Sequence, residues 1–297
     1  MKVVLFCGGL GLRIRDYSDK LPKPLVPLGG KPILWHIMKY YAHFGHKEFI
    51  LCLGYKADRV KEYFLNYTQE PSNDFVLTGG ANRQPLHNDI ADWRISFVDT
   101  GMRSNIGQRL KKVKHLLGGD EYFLANYSDT LTDAPLNEWL GHFTQQDKVA
   151  SMMCVRPHVS LHSVTLQDNG TVTGIQSARS DMLVNGGFFA FRRDIFDYVD
   201  RGEELVEEPF SRLIAGGALL GQPYQGFWAT MDTFKDRQVL EEMYATGRAP
   251  WEVWKYRRAE ERTHVHALAG ADPGDTLRSA PSSCEWRSAD LTGRVKS

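Results

Sequence analysis

The residues with the clearest chemical use cluster after the first apolar run. Gly8-Gly9-Leu10-Gly11-Leu12-Arg13 follows Val3-Val4-Leu5-Phe6-Cys7, and Pro22-Lys23-Pro24 comes shortly after. Glycines just beyond a buried strand let backbone N–H groups approach a phosphate closely. Arg13 adds a planar, bidentate donor for phosphate oxygens, and Lys23, held between two prolines, presents a point charge. An arginine and a lysine beside Gly8, Gly9 and Gly11 suit a triphosphate. The run reads GGxGxR, so it is neither the GxGxxG dinucleotide fingerprint nor a Walker loop, which needs Gly-Lys-Ser/Thr. Two carboxylates complete the set. Asp129 lies just past the apolar run Tyr122-Phe123-Leu124-Ala125-Asn126, at the strand end where α/β sheets place ligands. Asp232 follows Gly226-Phe227-Trp228 and precedes a helical segment. The pair can hold one Mg²⁺, with waters and phosphate oxygens completing its octahedron. Each can equally be a helix N-cap, and Asp232 before Thr233 suits that role.

Elements that would position these groups are legible in the hydrophobic pattern. Residues 2–7 read as a strand buried on both faces. Pro32 opens a helix over 33–44, whose apolar residues recur at i, i+4, i+7, i+8 and i+11, and Gly45 fits its stop. A second strand is expected at 49–53 and a second helix at 57–67. Further strands are expected at 94–98 and 122–126, with helices around 107–117, 135–146, 193–201, 207–216 and 233–247. Segments 149–155, 162–167, 171–175 and 186–191 are strand-like and close together, which suits antiparallel additions. The β-α-β-α order makes this an α/β protein: a mixed, mostly parallel sheet with helices on both faces and small antiparallel additions. No internal repeat is visible. Composition shifts near residue 255. A charged helical stretch, Lys255–Arg262, leads into a tail rich in Ala, Asp, Pro, Gly, Ser and Thr, with Trp286 its strongest anchor.

Composition excludes several classes. The 297 residues carry 36 Lys+Arg against 36 Asp+Glu, which removes a global electrostatic case for nucleic acid or an anionic membrane. The four cysteines, Cys7, Cys52, Cys154 and Cys284, show no CxxC spacing, and the first three lie in apolar runs. Reduced, buried thiols and a cytoplasmic location are expected. The N-terminal apolar run stops at Gly8-Gly9, far short of the ~18 residues a membrane span needs.

Several longer segments carry a resemblance: GGKPILWHIMKYY, FILCLGYKADRVKEYF, FVDTG, GQRLKKV, NGGFFAF, GFWATMDTFKDR and GRAPWEVW. With the glycine run and Pro-Lys-Pro, they resemble the sugar-1-phosphate nucleotidyltransferases, and within them the glucose-1-phosphate cytidylyltransferases. The likeness covers 1–254, one nucleotidyltransferase domain, and leaves 255–297 without a counterpart. It implies a Rossmann-like three-layer nucleotidyltransferase fold and a homo-oligomer. It also implies an NTP, with CTP first and UTP or dTTP as alternatives, and a sugar 1-phosphate as substrates. Aspartates matching Asp129 and Asp232 hold the metal in that family. Arg109 matches an arginine near the nucleotide phosphates, although a helix-surface arginine is the plain alternative. Asn185-Gly186-Gly187 matches the sugar pocket, although Asn-Gly is also a strong β-turn signal. Glu208, before Pro209, reads either as a sugar contact or as a helix N-terminal carboxylate.

Three departures from the family stand out. Leu12 replaces a threonine. Ser128-Asp129-Thr130 replaces Gly-Asp-Gly, adding bulk where backbone lies close to ligand. A Glu-Lys-Pro segment before the Asn-Gly-Gly run is missing. Gln176-Ser177-Ala178-Arg179-Ser180 stands there, and Arg179 is the candidate replacement for the lysine at the sugar phosphate, longer and planar where lysine is a point charge. These departures keep two rival readings open, a non-catalytic sugar-nucleotide-binding regulatory subunit and a phosphosugar-binding structural partner. Joint retention of Lys23, Asp129 and Asp232 favours catalysis.

Overall fold

The computed structural model describes residues 1–9, 21–67, 75–80, 82–85, 89–157, 162–177 and 182–255. Gly11, Leu12, Arg13, Arg179, Cys284 and the tail from 256 lie outside the described residues. A compact unit spans Met1–Tyr256.

A seven-stranded sheet forms the middle layer. In chain order its strands are β1 (Lys2–Phe6), β4 (Glu48–Leu53), β7 (Arg94–Asp99), β8 (Tyr122–Asn126), β10 (Ala150–Val155), β13 (Val184–Arg192) and β14 (Leu219–Tyr224), arranged β14-β10-β13-β8-β1-β4-β7. β1 runs parallel to both neighbours, with Val4 opposite Ile50 and Ala125. Only β13 is antiparallel, pairing β8 on one side and β10 on the other. The expected mixed, mostly parallel sheet is therefore present. β14 went unread in the sequence because Gly221 and Pro223 interrupt it. Pro223 is tolerated because β14 lies at the sheet edge.

Strand alternation sorts the core into two layers. Val3 and Leu5 pack with α1 (Ile33–His43), α4 (Leu136–Thr144) and Leu240 of α6 (Phe234–Ala245). Val4 and Phe6 face the other way, against Leu110 and Val113 of α3 (Ile106–Val113) and Phe210 and Leu213 of α5 (Glu208–Ala215). One five-residue strand thus supplies both cores, as period-two geometry requires. α2 (Ala57–Leu65) joins the first core through Val60. The helix expected over 193–201 is only a 3₁₀ turn at Arg193–Asp197. The hairpin β11 (His162–Leu166) and β12 (Val172–Ser177) forms a separate antiparallel pair. Among the described residues, no helix is long and apolar enough to cross a membrane. Cys7, Cys52 and Cys154 are free thiols, and burial pushes Cys7 up to about 12.

The lysine-bearing loop is fastened by the C-terminal part of the chain. β2 (Pro27–Leu28) and β3 (Lys31–Pro32) form a two-residue ladder just after the 3₁₀ turn Lys23–Leu25. Arg237 donates to the Pro27 carbonyl (3.1 Å), and Glu241 accepts from the Gly29 amide (3.1 Å). Beneath the hairpin, the buried His36 ring bonds the Leu28 carbonyl through Nε2 (2.9 Å), and its Nδ1 accepts from Trp251 Nε1 (3.3 Å). That pairing fits the neutral ring, and burial pulls its pKa down to about 4.

The sign follows from the unfolded chain, where a histidine takes up a proton near pH 6.5. Between pH 6.5 and 4 the unfolded state binds more protons, so His36 stabilises fully above 6.5 and loses that contribution as pH falls to about 4. The gap is worth about 3 kcal/mol at most. The melting temperature is expected to fall over this window. His36→Gln, which cannot titrate, is expected to flatten that slope in a calorimetric pH series.

Candidate active site

Two chain segments meet at the C-terminal edge of the sheet. β9 (Thr130–Thr132) pairs antiparallel with β15 (Trp228–Thr230), placing Thr130 opposite Thr230. The Met231 amide donates to the Asp129 carbonyl (2.9 Å), extending the ladder one step. Asp129 and Asp232 therefore flank the same ladder end. The strand β15 is in turn fixed by Asp133, whose Oδ1 accepts from the Phe227 amide (2.8 Å), and by Thr132 Oγ1 donating to the Phe227 carbonyl (2.9 Å).

Lys23 Nζ sits between the two carboxylates, 2.6 Å from Asp129 Oδ2 and 2.5 Å from Asp232 Oδ1. All three side chains are 15–25 % exposed. The predicted convergence of Lys23, Asp129 and Asp232 is thus in place. The helix-cap alternative fails for both acids. Thr233, not Asp232, caps α6, in a capping box with Asp236. Asp129 leads into a strand rather than a helix. Asp236 also accepts from the Asp232 amide (3.1 Å), which sequence reasoning missed, although Thr-x-x-Asp before a helix signals it.

The bulky replacements around Asp129 are turned inward. Ser128 has φ +65, a left-handed conformation that glycine adopts without cost. It is held there by its amide donating to Asn126 Oδ1 (2.7 Å) and its hydroxyl donating to the Phe6 carbonyl (2.8 Å). Thr130 is buried, and its hydroxyl accepts from Asn126 Nδ2 (3.4 Å). Neither side chain fills the cleft.

Arg109 is no surface arginine. It is buried, and its donors reach the Leu53 carbonyl (3.0 Å), Thr100 Oγ1 (2.7 Å) and the Gly8 carbonyl (2.9 Å). Burial lowers its pKa from the ordinary arginine range. The guanidinium lies under the glycine turn and ties together the ends of β1, β4 and β7. A Cβ on Gly8 would overlap it, and one on Gly54 would press on both Arg109 and the Gly8 carbonyl. Gly8 is buried and Gly9 exposed, so the turn faces outward at Gly9.

Asn185-Gly186-Gly187 lies within β13, in an irregularity opposite Met153, so the β-turn alternative is overturned. Asn185 donates to the Tyr127 hydroxyl (3.0 Å) and accepts from the Gly187 amide (2.9 Å). The Gly186 carbonyl accepts from Trp228 Nε1 (2.8 Å). Gly187 has φ +77, and a Cβ there would meet Tyr127 at 2.9 Å and Thr130 Oγ1 at 3.3 Å. The segment therefore abuts the residue next to Asp129. Glu208 opens α5 and is exposed, where its carboxylate suits the helix N-terminus.

Two carboxylates suit a hard divalent cation completed by phosphate oxygens. Among the described residues no group of three or more His, Cys, Asp or Glu could hold a metal alone.

A mixed sheet in three layers, with acids, a lysine and a glycine turn at its carboxyl edge, is an α/β fold whose candidate site lies where such sheets place ligands. Residues 2–232 match the family model for nucleotidyl transferases. The chain is 36 % identical over 258 residues to the glucose-1-phosphate cytidylyltransferase of Salmonella typhi, covering 86 % of this chain and all of that one. It is 35 % identical over 256 residues to a probable glucose-1-phosphate cytidylyltransferase of Bacillus subtilis, with the same coverage. A solved putative glucose-1-phosphate thymidylyltransferase from Bacillus anthracis shares the fold, with a TM-score of 0.60, 16 % identity and coverage of 82 % of this chain and 94 % of that one. The chain belongs to the nucleotidyl transferase family.

Gly8→Ala is expected to destabilise by about 1–3 kcal/mol through overpacking against Arg109. At Gly9, no described atom lies within 4 Å of an added Cβ, and Gly9→Ala should cost less. Urea denaturation of the two variants compares them directly.

Proposed function

We propose that the chain transfers a cytidylyl group from CTP to glucose 1-phosphate or a related sugar 1-phosphate, forming a CDP-sugar and pyrophosphate. A phosphate oxygen of the sugar 1-phosphate attacks the α-phosphorus in line, and the bond to the β-phosphate breaks. The nucleophile is already anionic at neutral pH, so no protein base is required. Catalysis then consists of positioning and charge neutralisation. The observation carrying this reading is the Lys23–Asp129–Asp232 cluster beside the glycine turn, from three distant chain segments.

The roles follow from the chemistry of each residue and from the family resemblance. Gly8, Gly9 and Gly11 offer the nucleotide phosphates backbone donors, and Arg13 and Lys23 neutralise the departing pyrophosphate. Arg109 acts on the nucleotide through the Gly8 carbonyl it holds. Asp129 and Asp232 would hold Mg²⁺, which when bound offsets charge on the reacting phosphates. Asn185, Gly186 and Arg179 are assigned to the sugar phosphate. A cytoplasmic homo-oligomer is part of the same reading. Its support is the exposed apolar face of the β11–β12 hairpin, where Val164 pairs Ile175 and Leu166 pairs Val172, all more than half exposed.

Pyrophosphate release, measured across CTP, UTP, dTTP, ATP and GTP against several sugar 1-phosphates, tests the proposal. CTP is expected to lead. The missing Glu-Lys-Pro segment makes the sugar the more variable arm. Asp129→Asn and Asp232→Asn are each expected to lower kcat on the order of 10²–10³ with circular dichroism unchanged. Binding of CTP with no turnover for any acceptor would instead favour a regulatory subunit.

A further inference from the structure

The Lys23 ammonium stands where two acidic oxygens from separate segments converge, within hydrogen-bond distance of both. Its backbone is firmly placed. Pro22 and Pro24 restrict it, the Leu25 amide donates to the Pro22 carbonyl (2.8 Å), and the Val26 amide donates to the Lys23 carbonyl (3.1 Å). Movement is therefore confined to the flexible four-carbon stem, which ends in a compact point charge. Two carboxylates brought together without a counter-charge repel one another. One lysine between them offsets that repulsion and competes with any other cation for the same oxygens.

We propose that Lys23 is a tethered surrogate cation: it holds Asp129 and Asp232 together until a divalent ion arrives with the nucleotide, then exchanges the carboxylates for phosphate oxygens. This rests on the metal assignment made under the proposed function. It makes Lys23 the residue that couples metal binding to nucleotide binding. The free protein binds a divalent ion weakly because the ion must displace the ammonium. The nucleotide supplies the displaced ammonium with new partners, so ion and nucleotide bind cooperatively.

The test titrates Mn²⁺ alone into the full-length chain without nucleotide and reads free Mn²⁺ by electron paramagnetic resonance. Lys23→Gln is expected to bind one Mn²⁺ roughly tenfold or more tightly than the unsubstituted protein, because a like charge within hydrogen-bond distance has been removed. Adding Asp129→Asn to Lys23→Gln is expected to abolish the gain. A Lys23→Gln chain that melts early in chelator and recovers its melting temperature in Mn²⁺ reports the same exchange. Equal or weaker Mn²⁺ binding by Lys23→Gln overturns the exchange. If CTP still brings Mn²⁺ to the unsubstituted protein in that case, the metal assignment stands. If neither protein binds Mn²⁺ with or without CTP, both ideas fall.

Discussion

Two like charges held side by side are the constraint around which this cleft is built. Asp129 and Asp232 are brought together by backbone pairing, not by mutual attraction. The β9–β15 ladder and the Met231-to-Asp129 bond fix their main chains, so their repulsion must be met by a cation rather than relieved by separation. Lys23 meets it, and its own loop is anchored by Arg237 and Glu241 of α6. The helix that follows Asp232 thus also braces the loop bearing the counter-charge. A change in one of the three segments is felt in the other two.

A second charged device lies below the glycine turn. Arg109 spends its Nη donors on protein oxygens at three strand ends, so its buried charge is met by hydrogen bonds to the protein. Gly8 is glycine because the guanidinium leaves no room for a side chain. Under the proposed function, the exposed face of the turn at Gly9 is left to the ligand. On the same reading, a cation beneath the turn and a cation beside it frame one site for a polyphosphate.

Much of this was readable in the sequence because it rests on local pattern. The buried first strand, the amphipathic helices and the glycine run each carry a short-range signal. Lys23, Asp129 and Asp232 were identifiable by residue type and by their places after apolar runs, helped by family resemblance. Their convergence depends on two three-residue strands too short to leave a period. The depth of Arg109 was hidden for a related reason. On α3 it reads as one cation among several, and only the tertiary approach of Gly8, Gly54 and Thr100 shows that it points inward. Ser128 in a left-handed conformation was equally invisible, because Asn126 and the Phe6 carbonyl hold it there. The β-turn alternative at Asn185-Gly186 failed because the glycines sit in an irregular stretch of a strand, where close packing against Trp228 and Tyr127 selects them.

The account stands or falls on where a divalent ion sits relative to the two acids and the lysine. Crystals grown with CTP and Mn²⁺, with diffraction recorded at the manganese edge, locate it directly. The account predicts one anomalous peak between the Asp129 and Asp232 carboxylates, with Lys23 withdrawn onto phosphate oxygens. Nucleotide bound with its manganese elsewhere, and Lys23 still bridging both acids, would contradict it.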